Sequence, residues 1–267
     1  AETSITIDDI VFVVDAGLAK VKTYDAVNNL ACLLPAWISK AGSKQRKGRA
    51  GRVQNGVCFH LFTTNQYEKF PDYGEPELLR TPLEELCLQI KSLRLGRIGP
   101  FLSKALESPD ALTVTNSIQL LTSISAMDEN EDLTPLGWHL AALPVNPRIG
   151  KMLLMGAIFQ CLDPILTIAA GLAYRDPFVL PVDKKAEVDK VKRQLSGQSH
   201  SDHLAILNAY DGWIAAERQG RSSADQYVYR HFLSHQTLRQ MRDMRRQFED
   251  LLSDKGFVSI TSASRGT

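Results

Sequence analysis

The sequence has no excess of charge of either sign, because 31 lysines and arginines balance 30 aspartates and glutamates. A polyanionic partner therefore cannot be inferred from the whole molecule, and any nucleic-acid site must be a local patch. The 267 residues include only 4 cysteines. They are widely spaced and form no CxxC pair, which favours free thiols in a reducing, intracellular compartment and disfavours a zinc site.

Long apolar runs are also missing. No stretch reaches the roughly 18 to 20 apolar residues that cross a bilayer, so we expect no membrane-spanning helix and no membrane partner. We expect no secretory signal peptide either. The first residues lead directly into an apolar strand, and the last residues break off where another strand is expected. We interpret both ends as signs of a piece of a longer chain.

One local patch stands out against this neutral background. The stretch QRKGRAGR, residues 45–52, places four cations and two glycines in eight positions. We predict a helix over residues 39–52, in which positions i, i+4 and i+7 bring Gln45, Arg49 and Arg52 to one face. Each glycine costs a helix about 1 kcal/mol relative to alanine, and a purely solvated face gives no reason for that cost.

Guanidinium groups bind phosphate oxygens through two parallel hydrogen bonds, and a glutamine amide can orient a water molecule. These properties suit phosphoryl transfer, which needs cations at the γ-phosphate and a polar group near the attacking water. From spacing alone, a phosphate-binding site and a basic nucleic-acid or nuclear-import patch remain equally open.

The first third of the chain has the pattern of a mixed α/β segment. The apolar run 10–15 predicts a buried strand of a parallel sheet, and the run 57–62 predicts a second. Two strand-like runs flank Asn28-Asn29, which indicates a β-hairpin over residues 18–35.

From Pro76 onward the pattern becomes helical. Thr81 has the features of a helix N-cap, since Pro82 follows it and a glutamate comes three positions later. Helices over 111–124 and 135–143 flank a small wing hairpin around residues 129–131, which indicates a winged helix. We predict a helical bundle beyond it, with helices over 147–159, 162–174, 184–196, 201–219, 225–233 and 236–253.

Several of these segments resemble one family in the right order. QRKGRAGR is similar to motif VI of the superfamily 2 helicases in their DEAH-box (DExH) form, and AETSITID at the start is similar to their motif V. LRTPLEELCLQIKSLRLG and LTPLGWHLAALPVNPRIGKMLL resemble the winged-helix and ratchet regions that follow the motor. The context WISKAGSKQRKGRAGRVQNGVCFHL is most similar to the branch of RNA helicase A and the G-quadruplex-resolving helicases.

The resemblance implies a mixed α/β and mainly α fold, with a remnant of a RecA-like parallel sheet and its β-hairpin, then a winged helix and a helical ratchet bundle. The implied domains are the C-terminal part of the second RecA-like domain (1–75), the winged helix (76–144), the ratchet domain (145–255) and the start of an OB-fold (256–267).

The resemblance also implies roles for individual residues. Arg49 and Arg52 would be arginine fingers on the triphosphate of ATP, and Gln45 would contact the γ-phosphate or the attacking water. Arg46 would make a structural pair instead. The implied nucleotide contacts in motif V are Ser4, Thr6 and Asp8, and the implied RNA contacts are Glu2, Thr3, Lys20, Lys22, Arg148 and Lys151. No metal-ligating residues are expected in this chain.

Two motifs of the family are absent from the sequence, namely the phosphate loop GxxxxGK[ST] and the DExH sequence. In the family they lie on the first RecA-like domain and hold Mg²⁺ and the β- and γ-phosphates. We therefore expect part of an ATP-dependent RNA helicase that unwinds or remodels RNA from 3′ to 5′, although this chain alone should be inactive. The alternative is a motor-less RNA- or protein-binding module. The expected partner is RNA, single-stranded or structured and including G-quadruplexes, in the nucleus or cytoplasm.

Overall fold

The computed structural model describes residues 7–28 and 30–258. It divides into two compact units. The N-terminal unit comprises the residues up to 123 together with 129–132, and the C-terminal unit comprises 124–128 and the residues from 133 onward. The predicted fold class is confirmed, because a parallel strand pair and a hairpin are followed by helices. The unit boundary falls inside the segment 76–144, so the four domain ranges stay a prediction.

Two parallel strands form the sheet remnant of the N-terminal unit. Strand β1 (Phe12–Asp15) pairs with β4 (Val57–His60) in the register Phe12↔Val57. The predicted parallel sheet is thus confirmed, but the predicted burial of both strands is wrong, since Val57 and Phe59 of β4 are 49% and 52% exposed. Phe12 and Val14 are 67% and 66% exposed, because alternate side chains of a strand point to opposite faces and this face is open in the described part of the chain.

The predicted β-hairpin is confirmed. Strands β2 (Leu18–Asp25) and β3 (Leu30–Trp37) are antiparallel, with Lys22 opposite Leu33. The Asp25 carboxylate holds the turn by accepting hydrogen bonds from the backbone N–H groups of Val27 at 2.9 Å and Asn28 at 3.1 Å. The Asn28 side-chain amide adds a bond of 2.6 Å. Hydrogen bonds from Asn28 lower the pKa of Asp25, because they favour the charged carboxylate.

Short helices complete the N-terminal unit. The predicted helix over 111–124 is confirmed, but Thr81 as an N-cap is wrong. Thr81 ends a preceding helical turn, and its hydroxyl donates to the Glu77 carbonyl at 2.8 Å. The next helix begins only after Leu83, whose N–H donates to the Ser117 hydroxyl at 3.3 Å. The helices are α1 (Lys40–Lys47), α2 (Thr64–Glu68), α3 (Glu77–Arg80), α4 (Glu84–Ser92), α5 (Ile98–Leu102) and α6 (Ala111–Ser123).

The C-terminal unit is a helical bundle, as predicted. Its helices are α7 (Pro135–Ala141), α8 (Pro147–Ile158), α9 (Leu162–Ala173), α10 (Lys185–Ser196), α11 (Asp202–Arg218), α12 (Arg221–Arg230) and α13 (His235–Asp254). Side-chain caps start several of them: the hydroxyl of Thr134 accepts from Gly137 N–H at 3.0 Å, and the Asn146 side chain accepts from Arg148 N–H at 3.0 Å. Each cap satisfies a backbone donor that the first helical turn leaves unpaired.

The expected wing is reduced to a single antiparallel bridge between Met127 and Leu133. Gly137 lies against it, because a Cβ there would stand 1.9 Å from the Ala126 carbonyl oxygen. Deeper in the unit, the fully buried Trp213 on α11 lies 4.4 Å beneath the Arg242 guanidinium of α13. The cation–π contact joins these two helices around the core.

Two expectations concern membranes and the end of the chain. Among the described residues, the helices are too short or too polar to cross a bilayer. The segment predicted to start an OB-fold lies mostly outside the described residues, which end at Val258. Phe257 is described, and its ring packs edge-on against His139 with 5.0 Å between centroids.

Candidate functional site

A buried carboxylate organises the region around QRKGRAGR. Asp15 ends β1, is 1% exposed, and accepts a hydrogen bond of 3.0 Å from Gly17 N–H. Arg46 on α1 donates to the same Asp15 oxygen at 2.9 Å and to the Leu18 carbonyl at 3.1 Å. Charge-assisted hydrogen bonds of this kind are stronger than neutral ones, so they fix α1 to the end of β1. The predicted structural pairing of Arg46 is confirmed.

Helix α1 begins where the hydroxyl of Ser39 accepts the Gly42 N–H at 3.0 Å. Its last turn contains Lys44, Arg46 and Lys47, whose positive charges suit the partial negative charge of a helix C-terminus. The predicted extent of this helix is wrong at its end, because α1 stops at Lys47 instead of residue 52. Glycine favours helix ends over helix interiors, and Gly48 occupies the C-cap position.

Consequently the three predicted phosphate-binding residues do not share a helical ridge. Gln45 lies on α1 and is exposed, whereas half-buried Arg49 and exposed Arg52 lie in the turns that follow. Arg49 stays close to the helix, since its N–H bonds the Arg46 carbonyl at 3.0 Å. A Cβ added at Gly51 would meet no described atom within 4 Å. The backbone at Gly51 is therefore not covered by described atoms. Neither Gly48 nor Gly51 lies inside α1, so the expected cost of glycine within a helix does not arise.

A second glycine in this region has a purely structural reason. A Cβ at Gly56 would lie 1.8 Å from the Ala50 carbonyl oxygen and 2.6 Å from that of Val11. The turn at Ala50, within QRKGRAGR, therefore lies directly against the residue before β4, and Val57 N–H bonds the Val11 carbonyl at 2.8 Å. Only glycine fits at this position.

The remaining predicted site residues are dispersed. Glu2, Thr3, Ser4 and Thr6 lie outside the described residues, and Asp8 is exposed in a turn before β1. Lys20 and Lys22 are exposed on the same face of the hairpin, since they are two positions apart on β2. In the C-terminal unit, Arg148 is exposed on α8. The Lys151 ammonium donates to the Ile124 carbonyl at 2.8 Å, which ties this side chain to its own unit.

Sequence reasoning missed a basic cavity beside α1. It has a volume of about 380 Å³ and is lined by Ser43, Lys44, Lys47, His60, Phe62, Thr63, Thr64 and Tyr67. His60 ends β4, and its Nδ1 lies 3.5 Å from Oδ2 of Asp15. Desolvation, and then the Asp15 charge, raise the pKa of the neighbouring Cys58 thiol, which the Lys47 charge partly offsets. The sequence signal that could have indicated this cavity was the pair Lys44 and Lys47, three positions apart on α1.

Parts of the chain match two family models. Residues 117–145 match the winged-helix part of the helicase-associated domain (HA2), and residues 146–206 match its ratchet-like part. The chain is 60% identical over 258 residues to the DExH-box ATP-dependent RNA helicase DExH1 of Arabidopsis thaliana. It is 51% identical over 259 residues to the human ATP-dependent DNA/RNA helicase DHX36 and 46% identical over 266 residues to the human ATP-dependent RNA helicase DHX29.

These matches include 97%, 97% and 99% of this chain, respectively. They cover a much smaller share of the relatives, namely 26%, 26% and 19% of their lengths. The chain thus corresponds to about a quarter of a relative or less. Similarity extends across both structural units, including the motif VI region that the two family models leave unmatched.

Proposed function

We propose that this chain, which is similar to DExH-box RNA helicases over nearly its whole length, forms the C-terminal part of an ATP-dependent RNA helicase. The observation that supports this most directly is the anchored motif VI segment. Arg46 fixes α1 to the buried Asp15 at 2.9 Å, while Gln45 and Arg52 stay exposed beyond this anchor. The arrangement combines an anchored helix with exposed polar groups, as a contact to a ligand held by another part of the protein would need.

In this proposal Arg49 and Arg52 stabilise the negative charge that develops on the transferred phosphoryl group. Gln45 contacts the γ-phosphate or positions the attacking water. An arginine of this kind contributes roughly 10³ to 10⁵ to the rate. The chain offers cations and an amide to the triphosphate, which suit a nucleoside triphosphate, and ATP is proposed from the named activity of the relatives. Binding of Mg²⁺ and of the β- and γ-phosphates would require the phosphate-loop domain. Hydrolysis of the Mg²⁺-bound ATP would supply the free energy for remodelling.

Motif V would complete this side of the nucleotide. Ser4 is proposed to respond to the nucleotide state, and Thr6 and Asp8 to contact its ribose side. Glu2 and Thr3 are proposed to face the RNA backbone. These assignments depend on the similarity of AETSITID to motif V and on its position directly before β1.

The RNA contacts in this proposal are lysines and an arginine. Lys20 and Lys22 on the exposed hairpin face suit phosphate contacts, because lysine ammonium groups bind phosphates as compact charges. Arg148 and Lys151 on α8 are proposed to contribute further contacts, Lys151 only if its ammonium leaves the Ile124 carbonyl. The hairpin helps to part strands during 3′-to-5′ movement, and the winged-helix and ratchet regions close the RNA channel. Structured RNA, including G-quadruplexes, is the proposed substrate class, in the nucleus or cytoplasm.

A chimera tests the function as a whole. This chain would replace the matching quarter of the Arabidopsis relative, and RNA-stimulated ATP hydrolysis and duplex unwinding would be measured. We expect both activities in the chimera and neither in the 267-residue chain alone, assayed by phosphate release. A folded chimera that binds RNA without RNA-stimulated hydrolysis would favour the motor-less binding module. Hydrolysis by the isolated chain would contradict the division of the active site.

A further inference from the structure

The basic cavity beside α1 has the chemistry of an anion site. Three of its lining side chains are basic (Lys44, Lys47 and His60), four carry hydroxyl groups (Ser43, Thr63, Thr64 and Tyr67), and the lining includes no carboxylate. Ser43 is only 2% exposed, so the wall behind the two lysines belongs to the packed interior. Lysine and hydroxyl donors together can bind the oxygens of a phosphate group.

The nearest buried acid does not reverse this charge. Asp15 lies behind His60, with 3.5 Å between its Oδ2 and the His60 Nδ1. The other Asp15 oxygen is already bonded by the Arg46 guanidinium at 2.9 Å and by Gly17 N–H at 3.0 Å. Arg46 and Gly17 therefore compensate one carboxylate oxygen from within the fold, whereas the buried Oδ2 near His60 has no hydrogen-bond partner among the described residues.

Aromatic rings give the cavity a second chemical character. Phe62 and Tyr67 both line it, and their rings are nearly parallel, with 6.3 Å between centroids and an interplanar angle of 9°. Flat aromatic faces of this kind stack on nucleobases without strong sequence preference. The volume of about 380 Å³ lies in the lower part of the range of small-ligand pockets. The combination suits one nucleotide better than a bare ion.

The position of the cavity supports a ligand site. His60 is the last residue of β4, Asp15 is the last residue of the parallel neighbour β1, and Phe62 and Thr63 come after β4 and Leu61. Ligands of open parallel sheets bind outside the carboxyl ends of the strands. We propose that this cavity binds a nucleoside phosphate, with the phosphate at Lys44 and Lys47 and the base against Tyr67.

This site is separate from the arginine contacts of the proposed function and does not depend on them. The site uses Ser43, Lys44 and Lys47 of α1. The proposed triphosphate contacts are Gln45, Arg49 and Arg52. The phosphate could come from a free mononucleotide or from the 5′ end of an RNA. The cavity would contact the same chemical groups in both cases. The two sources differ in whether additional nucleotides on the ligand improve binding.

The test is an NMR titration of the 267-residue chain with AMP, adenosine, inorganic phosphate, 5′-phosphorylated triadenylate and 5′-hydroxyl triadenylate. We expect AMP to shift the amides of Ser43, Thr63 and Thr64, and adenosine to bind much more weakly. The double variant K44Q/K47Q should weaken AMP binding about tenfold, as expected for lost charge-assisted hydrogen bonds. Tyr67→Ala should weaken AMP without changing the response to inorganic phosphate.

The matched control is K69Q/K104Q, which removes two exposed lysines of the same unit from outside the cavity. It should leave AMP affinity within about twofold, a change of less than a typical hydrogen bond. Tighter binding of the 5′-phosphorylated trinucleotide than of AMP would identify an RNA end as the source of the phosphate. Equal affinities for these two probes would identify a mononucleotide. Either result supports the site.

Three results would overturn it. One is equal affinity for adenosine and AMP, which would show that the phosphate does not bind. Another is equal weakening by the control variant, which would show unspecific attraction to lysines. The third is a set of AMP shifts confined to the turns after α1, which would contradict the cavity and leave the proposed arginine contacts standing.

Discussion

The Arg46 guanidinium and the Asp15 carboxylate, 31 positions apart in sequence, form a hydrogen-bonded ion pair of 2.9 Å with the carboxylate fully enclosed. Removing the carboxylate would leave Arg46 and Gly17 N–H without their acceptor. We therefore expect Asp15→Ala to lower the free energy of unfolding by about 2 to 3 kcal/mol. Urea denaturation followed by circular dichroism measures this change.

The control for this prediction is Asp72→Ala. Asp72 also pairs with a cation of α1, Lys40, at 3.3 Å, but its side chain is 77% exposed. An exposed pair contributes little, so its loss should cost less than about 0.5 kcal/mol. Equal destabilisation by the two substitutions would show that burial does not make the Asp15 pair special.

Two glycines near motif VI should respond differently to the same substitution. Gly56→Ala places a methyl group against the Ala50 and Val11 carbonyl oxygens, and we expect a loss of about 2 to 3 kcal/mol. Gly51→Ala meets no described atom within 4 Å and should stay within about 0.5 kcal/mol of the parent. Thermal denaturation of both variants checks this contrast. A melting temperature lowered by Gly51→Ala as much as by Gly56→Ala would contradict it.

The hairpin lysines should contribute to RNA affinity through phosphates. Each contact to single-stranded RNA adds about 0.7 to the salt slope of the binding constant, so K20Q/K22Q should reduce that slope by about 1.4. Fluorescence anisotropy with a labelled single-stranded RNA at several salt concentrations measures it. K69Q/K104Q again serves as the control with the same charge change. If both double variants reduce the slope equally, the hairpin is not a specific RNA contact.

Cys87 should be chemically inert while the fold persists. Burial, with smaller contributions from Glu84 and Glu131, raises the pKa of the Cys87 thiol from 9.0 to about 12. The folded state therefore favours the protonated thiol. This contribution to stability is present below pH 9 and is lost as the pH rises towards 12, because the unfolded thiol ionises first. Stability should decline across that window.

Iodoacetamide labelling followed by mass spectrometry offers a direct check. Exposed Cys161 should react at pH 8, whereas buried Cys87 should react only after unfolding. Similar labelling rates for the two thiols in the folded chain would contradict the enclosed environment of Cys87.

Local signals in the sequence predicted much of this fold. The hairpin followed from its turn residues, because Asp25 and Asn28 bond within the turn itself. Helix α11 begins at Asp202, after Ser201 caps the Leu204 N–H at 3.4 Å. Such features depend on residues a few positions apart and are therefore visible in a single sequence.

The predictions from the sequence were wrong where residues distant in sequence determine the local structure. The Ser117 hydroxyl lies 34 positions from Leu83 in sequence and accepts the Leu83 N–H just before α4. Thr81 is therefore not needed as a cap. Arg49 and Arg52 were placed on a helix because their spacing fits one, but the chain turns at Gly48 and lies against Gly56, the residue before β4. The basic cavity joins α1 with residues that follow β4, and its composition is invisible until both elements are placed.

The central claim is that Arg49 and Arg52 act on the triphosphate in the transition state. Its most direct test is the RNA-stimulated kcat for ATP hydrolysis in the chimera with the Arabidopsis relative, comparing Arg49→Ala and Arg52→Ala with the exposed control Arg97→Ala. We predict that each of the first two lowers kcat by about 10³ or more at unchanged RNA affinity, while the control keeps the parent rate. A kcat within a few-fold of the parent in both arginine variants would contradict the claim.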